Sequence, residues 1–338
     1  MPGDSSPLGS AAPASGTVLE VRDLSVEYLL ERGTVLAVDQ VSFDLSAGEF
    51  LGIVGESGCG KSTLLFAIAQ LLVPPAEVTG GSVIFKGRNM VGLTDRELSA
   101  VRWRDLSVVM QSAMNALNPV KSIGAQYFDA MRAHGVASKG EIAERSSEVL
   151  KMVGIDPVHL KSYPHQLSGG MRQRAMIAMA LLFTPDLVIM DEPTSALDVV
   201  AQRSLMVQIK ELQEQLGFAI IFVTHDMSLV SHFSDRLMVM YGGLVAEFGA
   251  TRQVFDNPLH PYSIGLLEAF PSIRGPRVPL TGIPGSPPNL ANIPPGCRFA
   301  PRCPKVMARC EVEPPELYYV DGTLVRCFLH EGQDTGHD

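Results

Sequence analysis

Two rhythms of apolar positions alternate along most of this chain. Short, wholly apolar runs at residues 50–54, 187–190 and 219–223 read as strands buried on both faces. Residues 61–72, 171–183 and 201–216 carry apolar side chains at helical spacing, and the last stretch is plainly amphipathic. Residues 18–28 and 35–45 alternate apolar and polar, the period of half-buried strands, and Ala47-Gly48-Glu49 turns the chain before the run at 50–54. A further strand at 106–110 ends at Gln111, and from there to about residue 166 the pattern is helical and more polar, clearest over 141–153. Strands alternating with helices predict an α/β fold with a mainly parallel sheet covered on both faces. A helical insertion between Gln111 and Ser168 interrupts it.

Past about residue 270 the rhythm stops. Eight prolines fall between residues 271 and 295, too many for regular structure, and four of the five cysteines follow them. Residues 271–338 therefore read as a proline-rich linker feeding a small appended module. Residues 1–16, rich in Pro, Ser, Gly and Ala, read as a disordered lead-in to a main domain over 17–270.

With 338 residues, 46% of them hydrophobic, the chain can bury a sizeable core and has room for two or three units. Its net charge of −9, with no run of Lys or Arg longer than a pair, argues against nucleic acid, whose backbone needs a basic face. No window offers the roughly 18–20 uninterrupted apolar residues of a membrane span. The nearest, 175–190, is broken by Thr184, Pro185 and Asp186. The N-terminus has neither the charged head nor the apolar core of a signal peptide. A cytosolic protein is expected, unless another chain holds it at a membrane.

The chemistry concentrates where the strands end. Gly55-Glu56-Ser57-Gly58-Cys59-Gly60-Lys61-Ser62 is a complete phosphate-binding loop between a strand and a helix. Gly55, Gly58 and Gly60 permit the backbone angles that turn successive N–H groups onto phosphate, and the following helix adds its positive end. Lys61 is expected to reach the β- and γ-phosphates of ATP, and the Ser62 hydroxyl a Mg²⁺ ion. Cys59 lies beside Lys61 and a helix N-terminus, both of which lower a thiol pKa, although no redox role follows. Asp191 and Glu192 close the run 187–190. Asp191 is expected at the Mg²⁺, and Glu192 as the general base that takes a proton from the attacking water. His225 ends the run at 219–223, and neighbouring strand ends in an open parallel sheet converge on the ligand crevice, which places it near the γ-phosphate. Leu167-Ser168-Gly169-Gly170-Met171 is a second anion-binding sequence at a helix start, with Ser168 suited to cap the helix. The phosphate-binding loop already serves the local nucleotide, so Ser168-Gly169-Gly170 makes sense facing the γ-phosphate held by another subunit.

In this order the motifs resemble those of the ABC transporter ATPase subunits, and the resemblance covers about residues 18–270. Residues 55–62 match the Walker A motif and 187–192 the Walker B motif. Residues 167–171 match the signature sequence, with Met171 where Gln is common, and 195–198 match the D-loop. Gln111 matches the Q-loop glutamine, a Mg²⁺ contact, and His225 the switch histidine. Tyr28 sits where the family stacks an aromatic ring on adenine, and Thr63 extends the nucleotide-binding set. The resemblance implies a RecA-like P-loop NTPase core, an antiparallel β subdomain and a helical signature subdomain at about 112–171. It also implies a head-to-tail dimer that sandwiches two ATP molecules, closing on ATP and reopening on hydrolysis.

A narrower resemblance, to the oligopeptide and dipeptide importer ATPases, rests on residues 115–119, 257–262 and 296–304. It implies a second ATPase, identical or similar, two membrane permeases, an extracytoplasmic binding protein and a place on the cytoplasmic face of the inner membrane. Nickel and other solutes are carried by the same branch. Cys297, Cys303, Cys310 and Cys327 are spaced C-x₅-C-x₆-C-x₁₆-C, and clustered cytosolic cysteines suggest metal more than disulfides. Four thiolates suit a [4Fe–4S] cluster or tetrahedral Zn²⁺, and the spacing matches no standard motif of either. The importer resemblance favours the cluster.

Overall fold

The computed structural model describes residues 16–333 except residue 32, residues 112–115, residue 196 and residues 270–281. Nearly all of the expected disordered lead-in, Asn115, Ala196 of the D-loop and the first part of the proline-rich stretch lie outside the described residues.

Two sheets organise the chain. The smaller is antiparallel, in the order β2-β1-β4-β5, from β1 (Thr17–Leu30), β2 (Gly33–Ser46), β4 (Ala76–Phe85) and β5 (Arg88–Asn89). The larger runs β11-β12-β10-β9-β3-β8-β7-β6. Its parallel part comprises β3 (Phe50–Val54), β6 (Leu106–Val109), β7 (Leu187–Asp191), β8 (Ala219–Val223) and β9 (Arg236–Tyr241). Antiparallel strands β10 (Leu244–Ala250), β12 (Thr323–Val325) and β11 (Tyr318–Val320) extend one edge.

The wholly apolar runs are central strands because both faces of the sheet are covered. Along β8, Ile220 and Phe222 join one core while Ala219, Ile221 and Val223 join the other. In β7, Val188 and Met190 part from Leu187 and Ile189 in the same way. One core packs against α1 (Lys61–Ile68) and the small sheet. The other packs against α3 (Ile123–Ala133), α4 (Lys139–Met152), α5 (Gly169–Ala180) and α6 (Val199–Leu216), which follow α2 (Asp95–Val101). Asp198 caps α6, whose last turn ends at Gly217 with φ +75°. Among the described residues the remaining α-helices are α7 (Met227–Phe233), α8 (Thr251–Asp256), α9 (Pro261–Glu268) and α10 (Ala308–Val312).

Helix α1 stops at Ile68, short of the expected residue 72, because Gln70 turns left-handed (φ +55°) ahead of Pro74-Pro75. Residues 236–250, unassigned from the sequence, supply two strands of the main sheet. The C-terminal segment is also bound into the molecule more closely than an appended module. Its strand pair docks on β10 through Glu247 opposite Val325 and Phe248 opposite Leu324. Strands of three residues are too short to stand alone, and here the sheet edge supports them.

Candidate functional site

The loop between β3 and α1 is shaped by backbone crowding. A side chain at Gly55 (φ +152°) would begin 2.2 Å from the Met240 carbonyl oxygen, and one at Gly60 (φ +103°) 2.2 Å from that of Ala37. Gly58, also left-handed at +78°, has nothing within 4 Å of where a Cβ would stand. Gly60 caps α1 without a side-chain bond, which leaves the first N–H groups of the helix for an anion. Lys61 arches back over the loop, its Nζ donating to the carbonyls of Gly55 (2.7 Å) and Glu56 (2.9 Å). Gly55, Ser57, Gly58, Gly60, Lys61, Ser62 and Thr63 line a cleft of about 440 Å³ together with Tyr28, Gln111, Glu192 and His225.

Inside the cleft, two side chains converge on Glu192. The Gln111 amide donates to its Oε2 at 2.8 Å, and His225 Nδ1 lies 3.4 Å from its Oε1. The carboxylate is 19% exposed and the imidazole 67%. Glu192 has a left-handed backbone (φ +44°) and donates its N–H to the Val223 carbonyl at 2.9 Å, which ties β7 to β8 at the point where the acid leaves the sheet. A carboxylate held on one oxygen by Gln111 and approached on the other by His225, at a phosphate-binding loop, is placed to take a proton from water.

Asp191, one residue earlier, is buried. Burial raises its pKa, a hydrogen bond from the Ser62 hydroxyl works against that rise, and its Oδ1 has no partner. An orphaned carboxylate oxygen beside a hydroxyl is an all-oxygen donor set, which suits Mg²⁺. Gln111, whose amide nitrogen is spent on Glu192, would offer such a cation its oxygen. The Tyr28 hydroxyl is 3.1 Å from Thr63 Oγ1, so its ring stands at the cleft on the end of β1.

Two residues of the loop differ from expectation. The Glu56 side chain turns away from the cleft onto Arg302, with 2.6 and 2.9 Å contacts, and its N–H donates to the Tyr262 hydroxyl at 2.9 Å. Cys59 is 3% exposed, and burial outweighs nearby Lys61, so its thiol pKa is raised and not lowered. Neither lines the cleft.

Ser168, Gly169 and Gly170 stand apart from it as well. Ser168 is exposed and caps α5, its hydroxyl accepting from Met171 N–H at 3.3 Å. Val35, Ala37 and Leu290 line the cleft without having been singled out. Leu290 lies in the proline-rich stretch, where no periodicity marks it. Arg302 and Tyr262 sit within the quoted C-terminal motifs, but nothing in their spacing points to the phosphate-binding loop.

All four C-terminal cysteines border one small cavity, walled also by Phe299 and Phe328. They are free thiols, and among the described residues no group of three or more His, Cys, Asp or Glu stands in a metal-holding arrangement. Burial raises the thiol pKa values of Cys297 and Cys303 and pushes that of Cys327 up to about 11. The geometry therefore does not support the expected iron–sulfur or zinc site, because metal ligation needs thiolates brought together.

Comparison with known proteins agrees with the cleft. A family model described as ABC transporter matches residues 38–195. A second, for the C-terminal region of oligopeptide/dipeptide transporters, matches residues 246–310. The dimeric post-hydrolysis structure of the ATP-binding cassette MJ0796, bound to ADP and phosphate, is similar with a TM-score of 0.63 at 30% identity, over 69% of this chain and 99% of that one. The chain belongs to the ABC transporter family, as one of its ATPases. The oligopeptide transport ATP-binding protein OppD of Salmonella typhimurium is 44% identical over 320 residues, 94% of this chain and 95% of the relative. The dipeptide transport ATP-binding protein DppD of Caldanaerobacter subterraneus is 42% identical over 317 residues, 93% and 97% respectively. Within the family, its place is in this oligopeptide and dipeptide branch.

Proposed function

We propose that this ATPase powers a membrane importer for oligopeptides or dipeptides. The observation that carries the hydrolytic part is the convergence of Gln111 and His225 on Glu192 beside the phosphate-binding loop. In this reading Lys61 and the loop N–H groups hold the triphosphate, Glu192 accepts the proton of the attacking water, and His225 orients that water against the γ-phosphate. Ser62, Asp191 and Gln111 would hold Mg²⁺, which supplies neutralisation of the phosphate charge. Tyr28 stacks on adenine. The capped start of α5 does not line the cleft of its own chain, which supports a role for Ser168, Gly169 and Gly170 on the γ-phosphate of a companion ATPase, identical or similar, in a head-to-tail dimer.

The peptide assignment draws on the two relatives and on the match over residues 246–310. It entails two permeases and an extracytoplasmic binding protein, with this chain peripheral on the cytoplasmic face. Among the described residues no helix is long and apolar enough to cross a membrane. The boundaries 17–270 for the ATPase domain and 271–338 for the extension belong to the same reading. The test is ATP hydrolysis by the complex purified from membranes with its permeases, reconstituted with the binding protein. Peptides are expected to stimulate it. Stimulation by nickel but not by peptides would assign another cargo, and recovery of the chain with ribosomes or DNA in place of permeases would end the transport reading.

A [4Fe–4S] cluster or Zn²⁺ at Cys297, Cys303, Cys310 and Cys327 stands only as a finer proposal. Their shared cavity speaks for it, and the absent ligand geometry speaks against it. Anaerobically purified protein holding neither stoichiometric iron and sulfide nor zinc would remove it.

A further inference from the structure

The phosphate-binding loop is gripped from behind by the segment that bears the first two C-terminal cysteines. Arg302, 8% exposed, forks onto Glu56, with Nη1 2.6 Å from Oε2 and Nη2 2.9 Å from Oε1. The same guanidinium donates to the Tyr241 hydroxyl (3.2 Å) and, through Nε, to the Pro284 carbonyl (2.7 Å), so its direction is fixed by three separate elements. Glu56 itself is fully engaged: its N–H goes to Tyr262 on α9 and its carbonyl to Lys61. From the same segment Arg298 pairs with Asp39 and donates to the Gly242 carbonyl, beside the strand whose Ala37 carbonyl abuts Gly60.

Glu56 poses a problem for its own site. It is a carboxylate within a loop that must hold a polyanion, and an uncompensated negative charge there opposes binding. Arg302 cancels that charge with two charge-assisted bonds and points it away from the cleft.

We infer that Arg302 is a positioning residue for ATP, acting through Glu56, and that the C-terminal extension thereby sets nucleotide affinity. The inference rests on the loop binding ATP. Its test is titration of the full-length chain with a fluorescent ATP analogue and Mg²⁺. Arg302→Met is expected to raise Kd about tenfold, a factor that corresponds to about 1.4 kcal/mol. Adding Glu56→Gln to that variant is expected to bring Kd back to within about threefold of wild type, since a neutral amide no longer repels phosphate. Lost packing alone gives no such recovery. Should Arg302→Met fail to fold, Arg302→Gln with and without Glu56→Gln carries the same comparison, because Gln removes the compensating charge and keeps a polar, hydrogen-bonding side chain. A single variant that binds like wild type overturns the proposal, and so does a double variant as weak as the single one. Failure of the wild-type chain to bind ATP would instead sink the ATPase reading.

Discussion

The nucleotide cleft and the cysteine cavity both gather chemically capable side chains, the cleft from distant parts of the sequence and the cavity from residues 297–327, yet they hold them differently. Gln111, Glu192 and His225 leave three neighbouring strands of one sheet, β6, β7 and β8; a 2.8 Å hydrogen bond joins Gln111 to Glu192, and His225 approaches the same carboxylate to 3.4 Å. Cys310 lies on α10 and the other three thiols in loops; they share a cavity and form no ligand set. A parallel sheet fixes the relative position of its strand ends, so a residue at each end inherits a place. Loops stapled by prolines fix proximity but not direction.

The strongest way to break this contrast is at Glu192. Glu192→Gln keeps a partner for Gln111 and removes the proton acceptor, so turnover should fall by about 10²- to 10⁴-fold while MgATP binding persists. Steady-state hydrolysis alongside nucleotide titration checks it, and brisk turnover would show that the convergence is not catalytic.

A smaller effect probes the wall of the cysteine cavity. His260 borders the cysteine cavity, caps α9 by accepting from Tyr262 N–H at 3.0 Å, and is 4% exposed. Burial lowers its pKa from 6.5 to about 3. The unfolded chain therefore takes up the proton first, and the stability that neutral His260 contributes is whole above about pH 6.5 and is lost as the pH falls towards 3. His260→Asn keeps a capping acceptor without titrating. Between pH 7.5 and pH 5 the wild type should lose about 2 kcal/mol more stability than this variant, measured by denaturant unfolding. Parallel pH profiles would refute the assignment.

The mildest test lies at the rim of the cleft. Tyr28→Phe deletes the 3.1 Å contact with Thr63 and keeps the ring. It should cost about 0.5–1.5 kcal/mol of stability and change ATP affinity by less than about threefold. A larger loss of affinity would move the role of Tyr28 from its ring to its hydroxyl.

The central strands β3, β7 and β8 were legible because burial on both faces leaves continuous apolar runs, and the phosphate-binding loop because its glycines and lysine have few substitutes. The run from Leu237 to Tyr241 carries the same signal and could have marked β9, whereas β12 is three residues long and exists by pairing. Glu56 and Cys59 show the limit of a motif. The pattern says where the backbone runs, but whether a variable position faces the phosphates depends on neighbours up to 246 residues away, as the Arg302–Glu56 bond illustrates. The thiol of Cys59 likewise responds to burial, which the adjacent lysine does not reveal.

The docking of β12 on β10 also orders events during synthesis. Ribosomes release the N-terminal region first, so the edge at Glu247 and Phe248 emerges well before the strand that covers it. For several seconds a nascent chain carries a nearly finished sheet with one side open, the situation in which a neighbouring polypeptide can pair wrongly. Synthesis of residues 323–325 is what closes that side, and a chain cut short ahead of Thr323 leaves it open for good.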